Sequence, residues 1–254
     1  MNINLALILT VLTALTGAVV AFDKFYYRRL EGSEEGGNKG LVTLIDYSRS
    51  FFPVLLFVLV IRSFIFEPFR IPSGSMMPTL LQGDYIFVKK YSYGLRLPVL
   101  EKKVVETGNP ERGDVVVFRL PSQPNINYIK RVIGLPGDEV SYRHHVLTIN
   151  GKEIVTMRDG EEPVFRHIPR FVEDLGERSH GILIEAPANS SRDGSFTVPD
   201  GHYFMMGDNR DNSKDSRFIG AIPETHLVGE AVRIWMHMDG LEWPDWGRIG
   251  TKIQ

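Results

Sequence analysis

Two long apolar runs set the first quarter of the chain apart from the rest. The first, Ile3–Phe22, carries no charged residue, and about 20 mostly apolar residues suffice for a helix to cross the hydrocarbon core of a bilayer. The second, Phe51–Phe66, is shorter and contains Arg62 near one end, from where its guanidinium reaches the headgroups. A cleaved leader would place a positive segment before the first run, and none is present. The pattern predicts two transmembrane helices, 1–22 and 51–66.

The polar segment 23–50 separates the two runs and is richer in positive charge than the residues before it. Short loops rich in Lys and Arg stay on the cytoplasmic side of a membrane. We therefore expect 23–50 to be cytoplasmic and 67–254 to lie on the opposite face. The Gly-rich middle of the loop, Glu31–Gly40, is typical of a flexible linker. The basic residues of the loop are Lys24, Arg28, Arg29, Lys39 and Arg49.

From Glu67 onward the pattern changes to short stretches of β-branched and aromatic residues divided by Gly, Pro, Asp and Asn. Such a pattern predicts a mainly β fold of antiparallel strands, with Asn150-Gly151 as a hairpin turn. Four Gly-Asp dipeptides, the first at Gly83 and the last at Gly207, mark turns because Gly supplies unusual backbone angles. Region 156–199 is charged and turn-rich, which is typical of an elaboration on a core sheet. The predicted strands are Tyr85–Val88, Val115–Leu120, Tyr128–Ile133, Val140–Leu147, Gly181–Glu185, Tyr203–Met206 and Val228–Trp235.

Composition removes several classes of function. The chain of 254 residues has a formal net charge of −2, which argues against a general basic surface for nucleic acid. It has no cysteine, so disulfides, zinc–thiolate sites, iron–sulfur clusters and thiol nucleophiles are excluded. A His-Glu-x-x-His zinc motif is absent, and the segment from Asp208 lacks the turn glycine and the final glutamate of a calcium loop. We therefore expect no metal and no cofactor.

A serine-rich loop follows the second apolar run. Pro72, Gly74 and Pro78 prevent a regular helix or central strand, so Ser73 and Ser75 lie on a constrained, irregular backbone that can present a hydroxyl. A plain linker is the simpler interpretation of the tripeptide Ser-Gly-Ser taken alone.

A serine nucleophile needs a base, and lysine is one of the side chains that serve. Lys130 interrupts the β-type run Tyr128–Ile133 and shares a strand face with Tyr128 and Val132, so apolar neighbours would lower its pKa toward neutrality. A solvated lysine at a sheet edge is the alternative. The seven histidines lie outside any recognisable catalytic motif, and neither Gly-x-Ser-x-Gly nor Ser-x-x-Lys occurs.

A segment close to the C-terminus concentrates opposite charges. Asp208, Asp211 and Asp215 alternate with Arg210 and Arg217 within ten residues. Carboxylates and guanidinium groups at this density form paired, hydrogen-bonded networks. The segment therefore predicts a loop whose conformation is fixed by its own charges.

Together the three segments resemble the type I signal peptidases (leader peptidases), membrane-bound serine proteases with a Ser/Lys dyad. Residues 72–80 (Pro-Ser-Gly-Ser-Met-Met-Pro-Thr-Leu) are similar to the family's nucleophile box, 128–138 to its lysine box and 206–217 to its final box, in family order. The segment from Gly83 matches a further box, and two spans before the catalytic domain are similar to the arrangement of the Gram-negative enzymes. The resemblance covers about Arg62–Lys90, Gly113–Asp138 and Val198–Trp243.

The resemblance implies a role for each matching residue. Ser75 would be the nucleophile and Lys130 the unprotonated general base, with the Ser73 hydroxyl and the Ser75 N–H facing the oxyanion. Ser213 would hold Lys130 in place. The charge pairs that would support the dyad are Asp208 with Arg131 and Asp215 with Arg217. The substrate-binding set for small side chains is Ile71, Pro72, Met76, Tyr128 and Ile129.

The function implied by the resemblance is removal of N-terminal signal peptides from exported preproteins after an Ala-x-Ala-type site. The implied fold has two antiparallel sheets, the catalytic one barrel-like, in a periplasmic domain held in the bacterial inner membrane. The implied partners are preproteins, membrane lipid and the nearby protein-export translocon, with no nucleic acid. Two features depart from the family: the chain cannot form the disulfide of some Gram-negative relatives, and Lys214 stands where a small residue is commoner. A Ser/Lys protease with a restricted substrate set and an inactive membrane-anchored scaffold are the alternatives.

Overall fold

The computed structural model describes residues 5–27, 39–96, 103–162, 168–185, 193–238, 240, 243 and 245–253. These residues fall into two compact units, 1–66 with 94–106 and 67–93 with 107–254. Most of the proposed linker Glu31–Gly40 lies outside the described residues, as do parts of the region 156–199.

Two long helices make up most of the first unit. Helix α1 spans Leu5–Phe22 and continues through a π-helical turn, Asp23–Tyr27, while α2 spans Lys39–Val60 and continues through another, Ile61–Ile65. Both are long and apolar enough to cross a membrane. Many of their large apolar side chains are exposed, which is expected of helices that face lipid and not a protein core.

The two helices pack against each other at a small residue. The Phe52 ring fills the space beside Gly17 and lies 2.8 Å from where a Cβ at Gly17 would stand. At the end of α1, Asp23 forms an ion pair with Arg49 of α2. Small residues allow membrane helices to approach closely, and the ion pair ties the two helices together at one end.

Helix α2 begins well before the apolar run that marked it in the sequence. Residues 39–50 were assigned to the loop 23–50, but they are helical. Asp46 and Arg49 lie before the apolar run and do not interrupt the helix. They are three residues apart on one helix face, with their charged groups 3.8 Å apart. Hydropathy therefore located the more apolar second half of the helix and missed its start at Lys39.

A seven-stranded sheet forms the centre of the second unit. Its strands are β1 (Phe66–Arg70), β2 (Asp84–Lys89), β5 (Val115–Leu120), β6 (Gln123–Gly134), β14 (His202–Met206), β15 (Ile222–Pro223) and β16 (Leu227–His237). Their order across the sheet is β1-β2-β16-β5-β6-β14-β15. The five pairs from β2 to β15 are antiparallel. The sheet thus places β6, with Lys130, between two partners in its interior.

Both faces of this sheet are buried. Val115 and Val117 of β5 belong to one apolar cluster, which also contains Ile71 from the turn after β1. Val116 and Phe118 belong to a second cluster on the opposite face. Burial on both faces explains why β5 is a continuous apolar run in the sequence and not an alternating one.

Three smaller sheets complete the described part of the chain. A four-stranded sheet has the order β13-β7-β8-β9, a three-stranded sheet the order β10-β11-β12, and β3 pairs with β4 in the first unit. Two sheets were expected, and the difference arises because the middle of the chain pairs locally in successive hairpins. The strands are β3 (Leu95–Arg96), β4 (Lys103–Val105), β7 (Glu139–Arg143), β8 (Val146–Ile149), β9 (Lys152–Glu153), β10 (Val155–Glu162), β11 (Ile168–Asp174), β12 (Ser179–Leu183) and β13 (Gly194–Thr197).

One predicted strand is in fact a hairpin. The segment Val140–Leu147 turns at His144 and His145, whose φ angles are 49° and 66°, and β7 then pairs with β8. Positive φ angles are uncommon for any residue other than glycine, and the apolar pattern gave no sign of this turn. The predicted turn at Asn150-Gly151 is present, with both φ angles positive as a tight hairpin requires.

Candidate active site

The serine loop is held at both ends by buried apolar side chains. Ile71 and Met76 are 2% and 0% exposed and belong to one core cluster. The Ile71 N–H donates to the Asp84 carbonyl at 2.8 Å, and the Met77 N–H donates to the Gly74 carbonyl at 3.2 Å. With its flanks fixed in this way, the loop leaves the Ser75 hydroxyl only half-buried. The irregular backbone expected from the sequence therefore presents a hydroxyl group.

Lys130 reaches this hydroxyl from the interior of the sheet. Its Nζ lies 2.6 Å from Ser75 Oγ and 2.8 Å from the Ile129 carbonyl oxygen. The same ammonium group lies 5.5 Å from the centre of the Tyr128 ring, its neighbour on the strand face. Lys130 is 3% exposed, so the solvated edge lysine considered from the sequence is wrong.

Burial changes the proton affinity of Lys130. Loss of hydration disfavours the ammonium form and lowers the pKa of Lys130 to about 8, although Asp215 and Asp208 oppose the change and Arg217 assists it. At pH 7 about a tenth of the lysine is then neutral, against fewer than one in a thousand for a solvated lysine. A neutral amine at hydrogen-bond distance is the group that a serine nucleophile requires.

Two ion pairs fix the strand and the loop behind the dyad. Arg131 donates to both carboxylate oxygens of Asp208, at 2.9 and 2.7 Å, and Asp208 also accepts from the Thr79 hydroxyl at 2.5 Å. Arg217 donates to both oxygens of Asp215 at 2.8 Å. Both pairs expected from the family resemblance are thus present, in bidentate form.

Gly207 and Asn209 hold the serine loop against residues 207–217, the acidic segment. The Asn209 N–H donates to the Ser75 carbonyl at 3.2 Å, and its side-chain amide donates to the Gly74 carbonyl at 3.0 Å. A Cβ on Gly207 would stand 2.5 Å from the Ser75 carbonyl oxygen. Gly83 has a positive φ, as a turn requires, whereas Gly207 is needed for space. The Gly-Asp dipeptide indicates only a turn at Gly207, and no signal in the sequence marks Asn209.

Ser213 does not bind Lys130 in this structure. Its hydroxyl is buried and lacks a hydrogen-bond partner. It lies 2.2 Å from where a Cβ on Gly207 would stand, so it borders the same small space as Ser75. The expectation that Ser213 hydrogen-bonds the lysine is therefore not met, although the residue is close to the dyad.

The remaining predicted residues surround the serine in two ways. The Ser73 hydroxyl lies 3.5 Å from Ser75 Oγ and is exposed, so it is free to face a substrate. Ile71 and Ile129 share one apolar cluster with Met76, which is wholly buried beneath them. Two others are accessible from solvent: Pro72 is exposed, and Tyr128 is half-buried.

The histidine alternative has no support in the described residues. The rings of His145 and His237 bind Asp211 and Asp84, at 2.9 and 2.8 Å. His202 binds the carbonyl of Asp200, and His180 is enclosed beside Asp208. Within the described part of the chain, the basic side chain recorded at hydrogen-bond distance from Ser75 Oγ is Lys130.

Comparisons with known proteins agree with the motifs. The model of a family described as "Signal peptidase, peptidase S26" matches residues 44–236. The chain is 44% identical to a protein named signal peptidase I from Pseudomonas fluorescens, with 96% of this chain and 94% of the relative covered. It is 32% identical to the protein of the same name from Haemophilus influenzae, with 94% and 88% covered.

A solved signal peptidase I from Enterococcus faecalis is 29% identical, covers 48% of this chain and 96% of that one, and has a TM-score of 0.34. The family assignment does not depend on that structure, because the family model spans most of the chain and the identities extend over nearly all of it. The chain belongs to the signal peptidase family, peptidase S26.

Proposed function

We propose that this membrane-bound serine endopeptidase removes signal peptides with Ser75 as nucleophile and Lys130 as general base. The observation that carries the assignment is the 2.6 Å contact between Lys130 Nζ and Ser75 Oγ, made by a lysine whose burial lowers its pKa to about 8. A lone buried ammonium group is costly, and here it points at a hydroxyl that needs a base. Packing alone gives no reason for this placement.

In the proposed reaction, Ser75 Oγ attacks the carbonyl carbon of the scissile bond while its proton passes to Lys130 Nζ. The negative charge on the former carbonyl oxygen is stabilised by the Ser73 hydroxyl and the Ser75 N–H. The protonated lysine then gives its proton to the leaving amine, and the C–N bond breaks. A water molecule attacks the resulting ester, Lys130 takes a proton from it, and this proton restores the Ser75 hydroxyl.

The substrate is a preprotein cut after an Ala-x-Ala-type site. Ile71 and Ile129 leave little exposed surface, 2% and 8%, beside the serine. Such shallow apolar walls favour small side chains over large ones. A preprotein held in the bilayer by its own apolar segment needs few further contacts, because tethering raises its effective concentration at the site.

The domain lies on the periplasmic face of the bacterial inner membrane, with 23–50 in the cytoplasm. The two apolar runs and the five basic residues between these runs support this multi-pass topology. Lipid is then a constant partner, and the protein-export translocon is the expected neighbour. Because the chain has no cysteine, Ser33→Cys and Asp200→Cys provide single labelling sites. In intact cells a membrane-impermeant maleimide should label only Asp200→Cys, and labelling of Ser33→Cys alone would reverse the topology.

Cleavage of an Ala-x-Ala preprotein by the detergent-solubilised protein tests the dyad. Ser75→Ala and Lys130→Ala should each lose at least about 10³-fold in rate. Lys214→Ala is the matched control, since it removes an exposed lysine from the neighbouring loop and should cut normally. Cutting by both dyad variants would reject this mechanism. A wild-type protein that cuts no preprotein would favour the inactive membrane-anchored scaffold. A wild-type protein that cuts only a few preproteins would favour the Ser/Lys protease with a restricted substrate set.

A further inference from the structure

A buried ion pair connects the elaboration 156–199 to the segment behind the dyad. Arg210 donates to Glu173 of β11 through both terminal nitrogens, at 2.6 and 2.5 Å. The two side chains are 0% and 1% exposed. An ion pair so far from water needs this bidentate geometry to offset the hydration that both groups lose.

We propose that Glu173 is a positioning residue for the catalytic dyad and acts through Arg210, so that the elaboration is part of the active-site frame. The inference rests on the Ser75–Lys130 mechanism proposed above. Glu173 touches neither member of the dyad, and its influence passes through the backbone of the acidic segment.

The connection runs through Gly207 and Asn209. Arg210 Nε donates to the Gly207 carbonyl at 3.3 Å, so the guanidinium held by Glu173 also holds this carbonyl. Gly207 lies against the Ser75 carbonyl, and Asn209 donates to that same oxygen at 3.2 Å. Each step is a direct contact between buried or half-buried groups. Loss of Glu173 therefore removes a restraint on Gly207 and Asn209, the two residues that contact the Ser75 carbonyl.

The same hairpin makes a second connection to this segment. The Leu183 N–H of β12 donates to the Asp208 carbonyl at 2.9 Å. His180, also on β12, lies with Nε2 3.4 Å from Glu173 and 3.7 Å from Asp208, and it separates the two carboxylates. Strands β11 and β12 thus contact the acidic segment through the Leu183 backbone hydrogen bond and through the side chains of Glu173 and His180.

Removal of the Glu173 charge should change the pKa of Lys130, an effect that a loss of stability alone would not produce. Three arginines and three carboxylates lie buried in this region: Arg131, Arg210 and Arg217, with Asp208, Glu173 and Asp215. Arg210 also interacts electrostatically with Asp208, one of the two carboxylates that raise the pKa of Lys130. Without Glu173, the positive charge of Arg210 is no longer neutralised by a bidentate partner and offsets more of the Asp208 charge at the lysine. The pKa of Lys130 should then fall.

The test compares Glu173→Gln with Arg178→Gln in the full-length, detergent-solubilised protein. Arg178 lies in the turn of the same β11–β12 hairpin and binds Asp114 and Glu111, neither of which belongs to residues 207–217. Glu173→Gln removes the ion pair with Arg210, and Arg178→Gln removes the pairs with Asp114 and Glu111 from the same hairpin. Preprotein cleavage gives kcat, KM and the pH profile, and thermal unfolding reports the stability of each variant.

We expect Glu173→Gln to lower kcat by about 10- to 100-fold, the scale of a small misplacement of reacting groups, with KM changed by less than about twofold. The acidic limb of the pH–rate profile of Glu173→Gln should shift to lower pH. Glu173→Asp should recover part of the rate. Arg178→Gln should retain kcat and the wild-type pH profile. Equal losses of kcat in the two variants, or an unshifted limb in Glu173→Gln, would overturn the inference.

If Glu173→Gln does not fold, the double variant Glu173→Gln/Arg210→Gln takes its place, because it leaves no unpaired buried charge. The double variant should fold and remain slow, and normal cleavage by it would refute a positioning role. The dyad is tested separately: cutting by Ser75→Ala rejects the mechanism itself. A normal rate for Glu173→Gln beside an inert Ser75→Ala rejects only the role of Glu173.

Discussion

Replacement of Gly207 by alanine is the sharpest test of how the dyad is held. The added Cβ would stand 2.2 Å from Ser213 Oγ and 2.5 Å from the Ser75 carbonyl oxygen, where ordinary contacts begin near 3.4 Å. The Ser213 hydroxyl can rotate away, but Ser213 Cβ, 2.6 Å from the added atom, cannot. The Ser75 carbonyl belongs to the backbone of a loop fixed by buried side chains. The loop must therefore move by about 1 Å, and a displacement of that size at reacting groups costs about 10²-fold in rate.

The assay is the initial rate of preprotein cleavage at saturating substrate, with thermal unfolding measured on the same samples. We expect kcat for Gly207→Ala to fall about 10²-fold, equivalent to about 2.7 kcal/mol in the activation barrier. Gly137→Ala is the matched control. Its φ of 87° makes any side chain strained, yet nothing lies within 4 Å of the added Cβ. Gly137→Ala should lose stability and keep kcat, and a Gly207→Ala variant that cuts at the wild-type rate would refute the steric reasoning.

Two further outcomes follow from buried titratable groups. Since the pKa of Lys130 is lowered to about 8, kcat/KM should rise about tenfold per pH unit up to that value and then level, whereas a rate independent of pH from about 6 to 10 would exclude the lysine base. Burial, followed by the nearby Arg131, lowers the pKa of His180 from 6.5 to about 4. The unfolded chain then binds a proton there that the folded chain does not. Stability should decline as pH falls from about 6.5 to 4, by at most about 3 kcal/mol, and His180→Leu, followed by thermal unfolding across this range, should flatten the decline.

Local pattern was sufficient for much of the fold. The strand Val115–Leu120 has the predicted bounds, and Asn150-Gly151 makes the expected turn. These features depend on neighbours in sequence, which single residues and short periods report directly. The hairpin at His144 and His145 was missed because its turn contains neither Gly nor Asn. The start of α2 was missed because hydropathy marks apolar stretches and not the bounds of a helix.

The two apolar helices, the β class of the following domain and the three motifs of the family can all be recognised from the amino-acid sequence. Tertiary structure alone decided which groups meet. Ser75 and Lys130 are 55 residues apart, and Arg210 and Glu173 are 37 apart, so their contacts arise only when the sheets assemble. Burial and the balance of charges around Lys130 set its proton affinity, and both are properties of the folded interior. For the same reason, the need for glycine at position 207 is a matter of space, which no local sequence signal reports.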